Sequence, residues 1–389
     1  MKLRNFNYDI AVRVFGLARE EFLKAPDILD RQMAAFSELA GTLMRLEQRK
    51  LYYGLGAEPS FFLRNTYSDG NNVFTFDLPA IDTDGTILMY GHRYFPVIEV
   101  SGKPVFRTKK SIHLQTALID VSFYGANVFL HGAGKARKAS VYFEYALGRK
   151  RVEDVTGIRY MDDGIDFTDI KPNFDTKEFR EAFGGYSRKE YDEMENTIES
   201  YLYKWLELVV PKLDLFTAQY LEEGSPALTV LKSMAKYNDG SPVLPAISSL
   251  ASARLRIYER FMYPITCFLA QKIRDCISRK GSTIGNKTIT MANCARSVLR
   301  DRAVVNAMGF TNMDKDNALM LLTNTTRLSK TVRYGKKAVR GKARNIDNSQ
   351  YGTICPITTP ERESCGIVEY LAMSNRNYFN NIYRWPTNK

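Results

Sequence analysis

A chain of 389 residues is longer than one hydrophobic core usually organises, so two or three domains are expected. Its 44% hydrophobic and 25% charged residues, with a mean hydropathy of −0.30, exclude a mostly disordered chain. Fifty-five Lys and Arg against 43 Asp and Glu leave +12, which points to a polyanionic partner.

Taken in chain order, the segment Met1 to Arg13 lacks the apolar stretch of a secretory signal, and no apolar run of membrane-spanning length or lipidation signal follows. The expectation is an intracellular protein with no membrane partner. Residues 27–50 read as a helix, with Ile28, Met33, Phe36, Leu39, Leu43 and Leu46 recurring at three- or four-residue steps. From 72 to 99 the pattern turns to strands: Val73, Phe74 and Phe76, a turn at Asp82–Gly85, then a return run from Ile87 to Ile98. Further strand-like segments lie at 116–130 and 140–147. Residues 150–245 are mixed, with a helix from Tyr186 to Leu208 ended by Pro211, and turns at Gly224–Pro226 and Asp239–Pro242. A long helix over 248–277, interrupted near Pro264, leads through Gly281–Gly285 to a second helical stretch over 291–308. Helix and strand signals come in blocks, which predicts an α+β, multi-domain chain.

Metal chemistry finds little support in the residue types. Cys267, Cys276, Cys294, Cys355 and Cys365 include no CxxC pair, and only His92, His113 and His131 could supply imidazole. Reduced, packed thiols are expected, and a cysteine nucleophile at Cys355 or Cys365 would need a distant histidine. Tyr160 to Asp163 spells YMDD, a pattern in which paired carboxylates can hold magnesium, with Asp120 as a third candidate. Asp162-Asp163-Gly164 is equally good hairpin-turn chemistry, and Asp82 with Asp84 invites the same two readings.

The most cationic stretch is Arg327, Lys330, Arg333, Lys336, Lys337, Arg340, Lys342 and Arg344, eight cations in 18 residues without an acid. Gly335 and Gly341 disfavour a helix and favour an exposed loop, suited to neutralising phosphates without reading sequence. A solvated basic loop is the plainer alternative. The loop runs into Tyr351-Gly-Thr-Ile-Cys-Pro-Ile-Thr-Thr-Pro-Glu-Arg-Glu-Ser-Cys-Gly-Ile-Val-Glu-Tyr-Leu-Ala372.

That segment resembles the Y-G-x-I/V-C-P-x-E-T-P-E-G-x-x-x-G motif of the second-largest (β) subunit of multisubunit DNA-dependent RNA polymerases. Tyr351, Gly352, Ile354, Cys355, Pro356, Thr359, Pro360, Glu361 and Gly366 match, whereas Thr358 and Arg362 depart from it. Two further segments, Gly85–Arg93 and Ser249–Arg256, are similar to the two legs of that family's protrusion domain. The resemblance implies a protrusion-like first leg at 1–150, a lobe-like insertion at 151–245, a second leg at 246–285, and a fork-like domain at 286–389. In that fork would lie the basic loop 327–344 and the motif 351–372. It implies that the eight cations contact DNA, that Pro360, Glu361 and Arg362 line the active centre beneath the RNA–DNA hybrid, and that Arg254 and Arg256 are protrusion-side candidates. No catalytic or metal-binding residue is implied in this chain, and no cofactor is bound by it: Mg2+ is expected in the complex, on the largest subunit.

The implied partners are a β′-like largest subunit, the DNA template and RNA transcript, a promoter-recognition factor, and the C-terminal half of the β-like subunit. The last follows from a sequence that stops 17 residues after Ala372, an arrangement resembling the split β subunits of giant bacteriophages. The isolated chain would then be inactive. It would act in the cytoplasm of an infected bacterial host, or travel packaged in the virion. The tail Tyr378 to Trp385 is a candidate for docking the missing half or for packing on its own domain. A basic nucleic-acid-binding or virion structural protein without a catalytic role is the alternative.

Overall fold

The computed structural model describes residues 3–54, 59–82, 86–94, 98–107, 111–116, 120–124, 127–130, 136–138, 142–143, 146–156, 198–238, 249–256, 258–278, 284–290, 293–294, 327–330, 344–360 and 365–372. Its elements in chain order begin with α1 (Leu3–Ala40), β1 (Arg45–Tyr53), β2 (Phe61–Ser68), β3 (Val73–Pro79), β4 (Ile87–Met89), β5 (His92–Tyr94) and β6 (Ile98–Gly102). Next come β7 (Val105–Arg107), β8 (Ser111–Gln115), β9 (Asp120–Tyr124), β10 (Asn127–Leu130), β11 (Ala136–Lys138), α2 (Arg149–Thr156), α3 (Ile198–Leu213) and α4 (Pro226–Asn238). The last are β12 (Ala253–Arg256), α5 (Glu259–Ser278), β13 (Lys287–Ile289), β14 (Arg327–Lys330) and β15 (Val368–Tyr370). Several sheets with helices gathered in blocks make this an α+β chain, as expected. Among the described residues no helix is long and apolar enough to cross a membrane.

Contacts divide the chain into two compact units: Met1–Lys103 with Pro245–Phe268 and Thr283–Lys389, and Pro104–Leu244 with Leu269–Ser282. The first unit's opening segment ends at Lys103, where β7–β11 begin a sheet of their own.

In the first unit, Phe22, Ala25, Leu29, Met33 and Phe36 make a buried stripe along α1. Phe36 meets Phe74 of β3 at 5.5 Å between ring centroids, and Phe74 meets Phe268 of α5 at 5.2 Å. The helix expected to run to residue 50 stops at Ala40. Gly41 adopts φ +67°, and the Thr42 N–H reaches back to the Ser37 carbonyl at 3.1 Å, a left-handed cap that ends the helix. The residues that follow therefore form β1, the edge of a sheet ordered β1-β2-β3-β13. β3 pairs with β2, not with the run after Asp82, and the return run is instead a small β4–β5 hairpin turned by Tyr90 (φ +51°) and Gly91 (φ +76°).

Three other expectations fail where prolines or ambiguous patterns are concerned. Ser249–Arg256 is no helix: a 3-10 turn at Leu250–Ser252 feeds β12, which pairs with β6. Pro264 lies inside an unbroken α5, and Pro211 inside α3. Phe261, Met262 and Ile265, buried on both sides of Pro264, offset the lost backbone bond.

The second unit stacks the antiparallel order β11-β10-β9-β8-β7 against helices. Ile112, Leu114, Val121 and Phe123 of the sheet pack with Val152 of α2, Tyr203, Leu206 and Val210 of α3, and Val230 and Leu231 of α4. The stretch 140–147 read as strand-like because Tyr142 and Phe143 are core residues, yet the described positions 142–143 and 146–147 are helical. The Gly224–Pro226 turn holds: Gly224 takes φ +74°, Ser225 caps α4 by accepting the Leu228 N–H at 3.0 Å, and Pro226 starts the helix. Residues 160–163, 239–242 and the tail 378–385 lie outside the described residues.

Candidate nucleic-acid interface

The root of the basic segment is a strand in a sheet assembled from distant parts of the chain, ordered β12-β6-β14-β15. β14 runs parallel to β6, with Leu328 beside Ile98, and antiparallel to β15, with Leu328 opposite Glu369. Alternation then sorts the side chains. Leu328, Lys330 and Glu369 share one face, while Arg327, Tyr370, Glu99, Arg254 and Arg256 share the other.

Charge on both faces is paired within the fold. Lys330 Nζ lies 2.6 Å from Glu369 Oε1, whose side chain is only 6% exposed. Burial raises the Glu369 carboxyl above its ordinary value, and the Lys330 ammonium opposes that rise. On the other face Arg254 grips Glu259 through both terminal nitrogens, at 2.9 and 3.1 Å, and reaches the Gly102 carbonyl at 3.3 Å. Arg256 Nε stands 3.1 Å from Glu259, and Arg260 holds Glu99 through both oxygens. Arg327 is driven below the ordinary guanidinium value by burial, opposed by Tyr370 directly across the ladder.

The motif that follows the basic segment folds back on this sheet. Asp347 caps a 3-10 turn at Asn348–Gln350 by accepting the Ser349 N–H at 2.9 Å. Ile354 bridges to Leu371, the Cys355 N–H donates to the Tyr370 carbonyl, and the Ala372 N–H donates to the Thr353 carbonyl. Thr359 Oγ1 accepts the Gly366 N–H and donates to the Val368 carbonyl, both at 3.1 Å. Gly366 sits at φ +69°, and a Cβ there would stand 3.0 Å from Arg344 Cβ and 3.1 Å from the Arg344 carbonyl oxygen. This position takes glycine for two reasons, the left-handed backbone and the close approach. The Arg344 guanidinium donates to the Cys365 carbonyl at 2.7 Å, and the Lys330 N–H donates to the Ile367 carbonyl at 2.8 Å. Both ends of the interval 331–343 are therefore tied to carbonyls two residues apart.

Residues 311–376 match the family model for RNA polymerase Rpb2, domain 3. The chain carries a region like that of a second-largest RNA polymerase subunit. The matched interval holds the whole basic segment and the motif, and covers a minority of the chain.

Within and around this Rpb2-like region, the sequence-predicted residues separate. Arg327, Lys330, Arg344 and Pro360 are described. Arg333, Lys336, Lys337, Arg340, Lys342, Glu361 and Arg362 lie outside the described residues. The protrusion candidates Arg254 and Arg256 are mostly buried and engaged with Glu99 and Glu259. Sequence reasoning missed Arg260, Glu99, Glu259 and Glu369, the groups that neutralise this sheet. Only the Arg256/Glu259 spacing gave a local signal. The expected packing of both motif thiols is corrected: Cys365 is exposed and Cys355 partly so, and Cys355 is held below its ordinary value by its hydrogen bond with Thr358. Asp82 accepts from Arg93 at 2.9 Å, and Asp84 is outside the described residues. Among the described residues no three His, Cys, Asp or Glu stand together in a way that could hold a metal ion.

Proposed function

We propose that this chain serves a multisubunit DNA-dependent RNA polymerase as a β-like subunit that holds template DNA and the RNA–DNA hybrid beside the active centre. The observation that carries the reading is the match of residues 311–376 to RNA polymerase Rpb2, domain 3, over the segment with the densest positive charge. Arg333, Lys336, Lys337, Arg340 and Lys342 neutralise nucleic-acid phosphates, and Pro360, Glu361 and Arg362 line the floor near the hybrid. Lys330 and Arg344 act one step back, as anchors of the loop. The regions 1–150 and 246–285 supply the protrusion, 151–245 the lobe and 286–389 the fork. Two-metal chemistry belongs to aspartates of a β′-like chain, which would bind Mg2+. The remaining β-like domains complete the enzyme, and a promoter-recognition factor directs it. If phage-encoded, it works in the cytoplasm of the infected bacterium.

The test is purification of the tagged full chain from its native source at mild salt, identification of the co-purifying chains, and an assay of RNA synthesis on DNA. Recovery of a β′-like chain with RNA synthesis supports the reading, and Arg340→Glu with Lys342→Glu then lowers synthesis without dissolving the complex. A lone inactive DNA-binding protein, or capsid components alone, would overturn it in favour of a virion structural role.

A further inference from the structure

The first strand of the first unit carries a surface that the polymerase reading does not use. β1 closes its sheet, and among the described residues no backbone group bonds to its outer edge. Which groups point outward follows from the ladder. The Gly54 N–H donates to the Ser60 carbonyl at 2.9 Å, so position 54 faces β2. In an antiparallel pair the facing alternates. Tyr52 and Lys50 thus bond inward, while the N–H and C=O groups of Arg49, Leu51 and Tyr53 point away from β2.

The same alternation sorts the side chains. Leu51 and Tyr53, 56% and 53% exposed, lie on the sheet face that carries buried Tyr67, Phe74 and Phe76. Leu46, before the bulge between Leu46 and Gln48, lies on that face as well, and Leu43 beside it is 60% exposed. Arg45 and Lys50 are exposed on the opposite face. The charge of Arg49 is committed to Asp30 at 2.7 Å, and Glu47 in the bulge is the only acid of the strand. A nine-residue edge with this much exposed apolar surface is what folded chains normally cover.

We propose that the outer edge of β1 is the docking site for a β-strand of a partner chain in which apolar and acidic residues alternate. Backbone bonds at Arg49, Leu51 and Tyr53 supply the pairing. The partner's apolar side chains extend the Leu46–Leu51–Tyr53 surface, and its acids face Arg45 and Lys50. The proposal rests on the subunit reading only in requiring another chain.

Three readouts on the purified complex and the full chain test it: backbone amide exchange at Arg49, Leu51 and Tyr53, RNA synthesis, and photo-cross-linking from p-benzoylphenylalanine in place of Tyr53. The expected result is exchange at least tenfold slower in the complex than in the isolated chain, with the cross-link landing on a segment of another chain that alternates apolar and acidic residues. Leu51→Pro removes one outward N–H that β2 does not use, so it should release that partner while leaving the thermal unfolding midpoint nearly unchanged. Unprotected amides in a complex that makes RNA would overturn this proposal and leave the subunit reading standing. Protection and the alternating cross-link in a complex that makes no RNA would support it while the subunit reading fails. A cross-link within this chain or to a second copy of it would also overturn it.

Discussion

Gly366→Ala tests how the basic segment is anchored. At φ +69° a residue with a Cβ pays about 1–2 kcal/mol for the left-handed backbone. The added methyl also meets Arg344 Cβ, carbonyl oxygen and Cα at 3.0, 3.1 and 3.3 Å. Those atoms cannot rotate away as a side-chain tip could, so the overlap adds about 1–3 kcal/mol. Together these predict about 2–5 kcal/mol, or roughly 30- to several-thousand-fold in a local opening equilibrium. The Lys330 N–H, bonded to the Ile367 carbonyl at 2.8 Å, reports that opening by native-state amide exchange. Gly41→Ala is the comparison: it shares a left-handed backbone, at φ +67°, but has nothing within 4 Å of the new methyl. Its effect, read at Thr42, should stay near 5- to 30-fold, roughly the 1–2 kcal/mol of backbone cost alone. Equal acceleration in the two variants would refute the close-approach argument, and an unchanged Gly366→Ala would refute the backbone argument too.

Other outcomes follow from paired or buried groups. Arg254→Ala takes the two-point partner from Glu259, 7% exposed, and leaves it only Arg256, so it should lower stability by about 1–3 kcal/mol in a urea titration; adding Arg256→Ala strands the carboxylate and should raise the loss to about 3–5 kcal/mol. Burial holds Glu207 above its ordinary value, although it accepts from Ser225, Tyr142 and the Ala227 N–H. The folded chain thus binds that proton more tightly than the unfolded one. This contribution is complete below the unfolded value of about 4.3 and is lost as pH rises through the folded one, so Glu207→Gln should gain on the wild type toward neutral pH in unfolding titrations. Iodoacetamide at pH 8 should modify Cys355 and Cys365 in the folded chain, by peptide mapping. Cys294, whose buried thiol donates to the Asp77 carbonyl at 3.1 Å and is pushed up to about 12, should react only after denaturation. For DNA binding, Arg340→Ala should flatten the slope of log K against log salt by about 0.9 if it neutralises one phosphate. Arg344→Ala removes the bond to the Cys365 carbonyl, 2.7 Å away, and should speed amide exchange at Lys330, the other end of the same anchor.

The local signals in the sequence were read correctly where a turn residue or a period decided the matter. Val73, Phe74 and Phe76 fall in β3, and the Gly224–Pro226 turn stands directly before α4. They misled where tertiary context overrode them. Leu43 and Leu46 continue the helical period of α1, yet Gly41 ends the helix, and the glycine cap outranks the period. Ser249–Arg256 suits either state locally, and pairing with β6, some 150 residues earlier, settles it as turn and strand. The partners of Arg260 and Lys330 were beyond sequence reasoning for the same cause. Glu99 and Glu369 reach them only through a sheet drawn from four separated segments.

That sheet also bears on how a basic loop can act at a fixed place. A free loop of like charges repels itself and spreads over many positions. Here the entropy of closing it is met by the fold, since Lys330 and Arg344 hold the interval 331–343 at Ile367 and Cys365. Lys330 also gives its charge to Glu369, and Arg327 is largely withdrawn from solvent. The cations at the ends of the cluster thus serve as mortar. Anchoring at Cys365–Ile367 ties both ends of that interval to the turn that Thr359 also holds, through its bond to Gly366. The coupling of loop to motif is therefore physical, and it accounts for why two unusual segments, one basic and one rich in proline, glycine and threonine, stand next to each other in the chain.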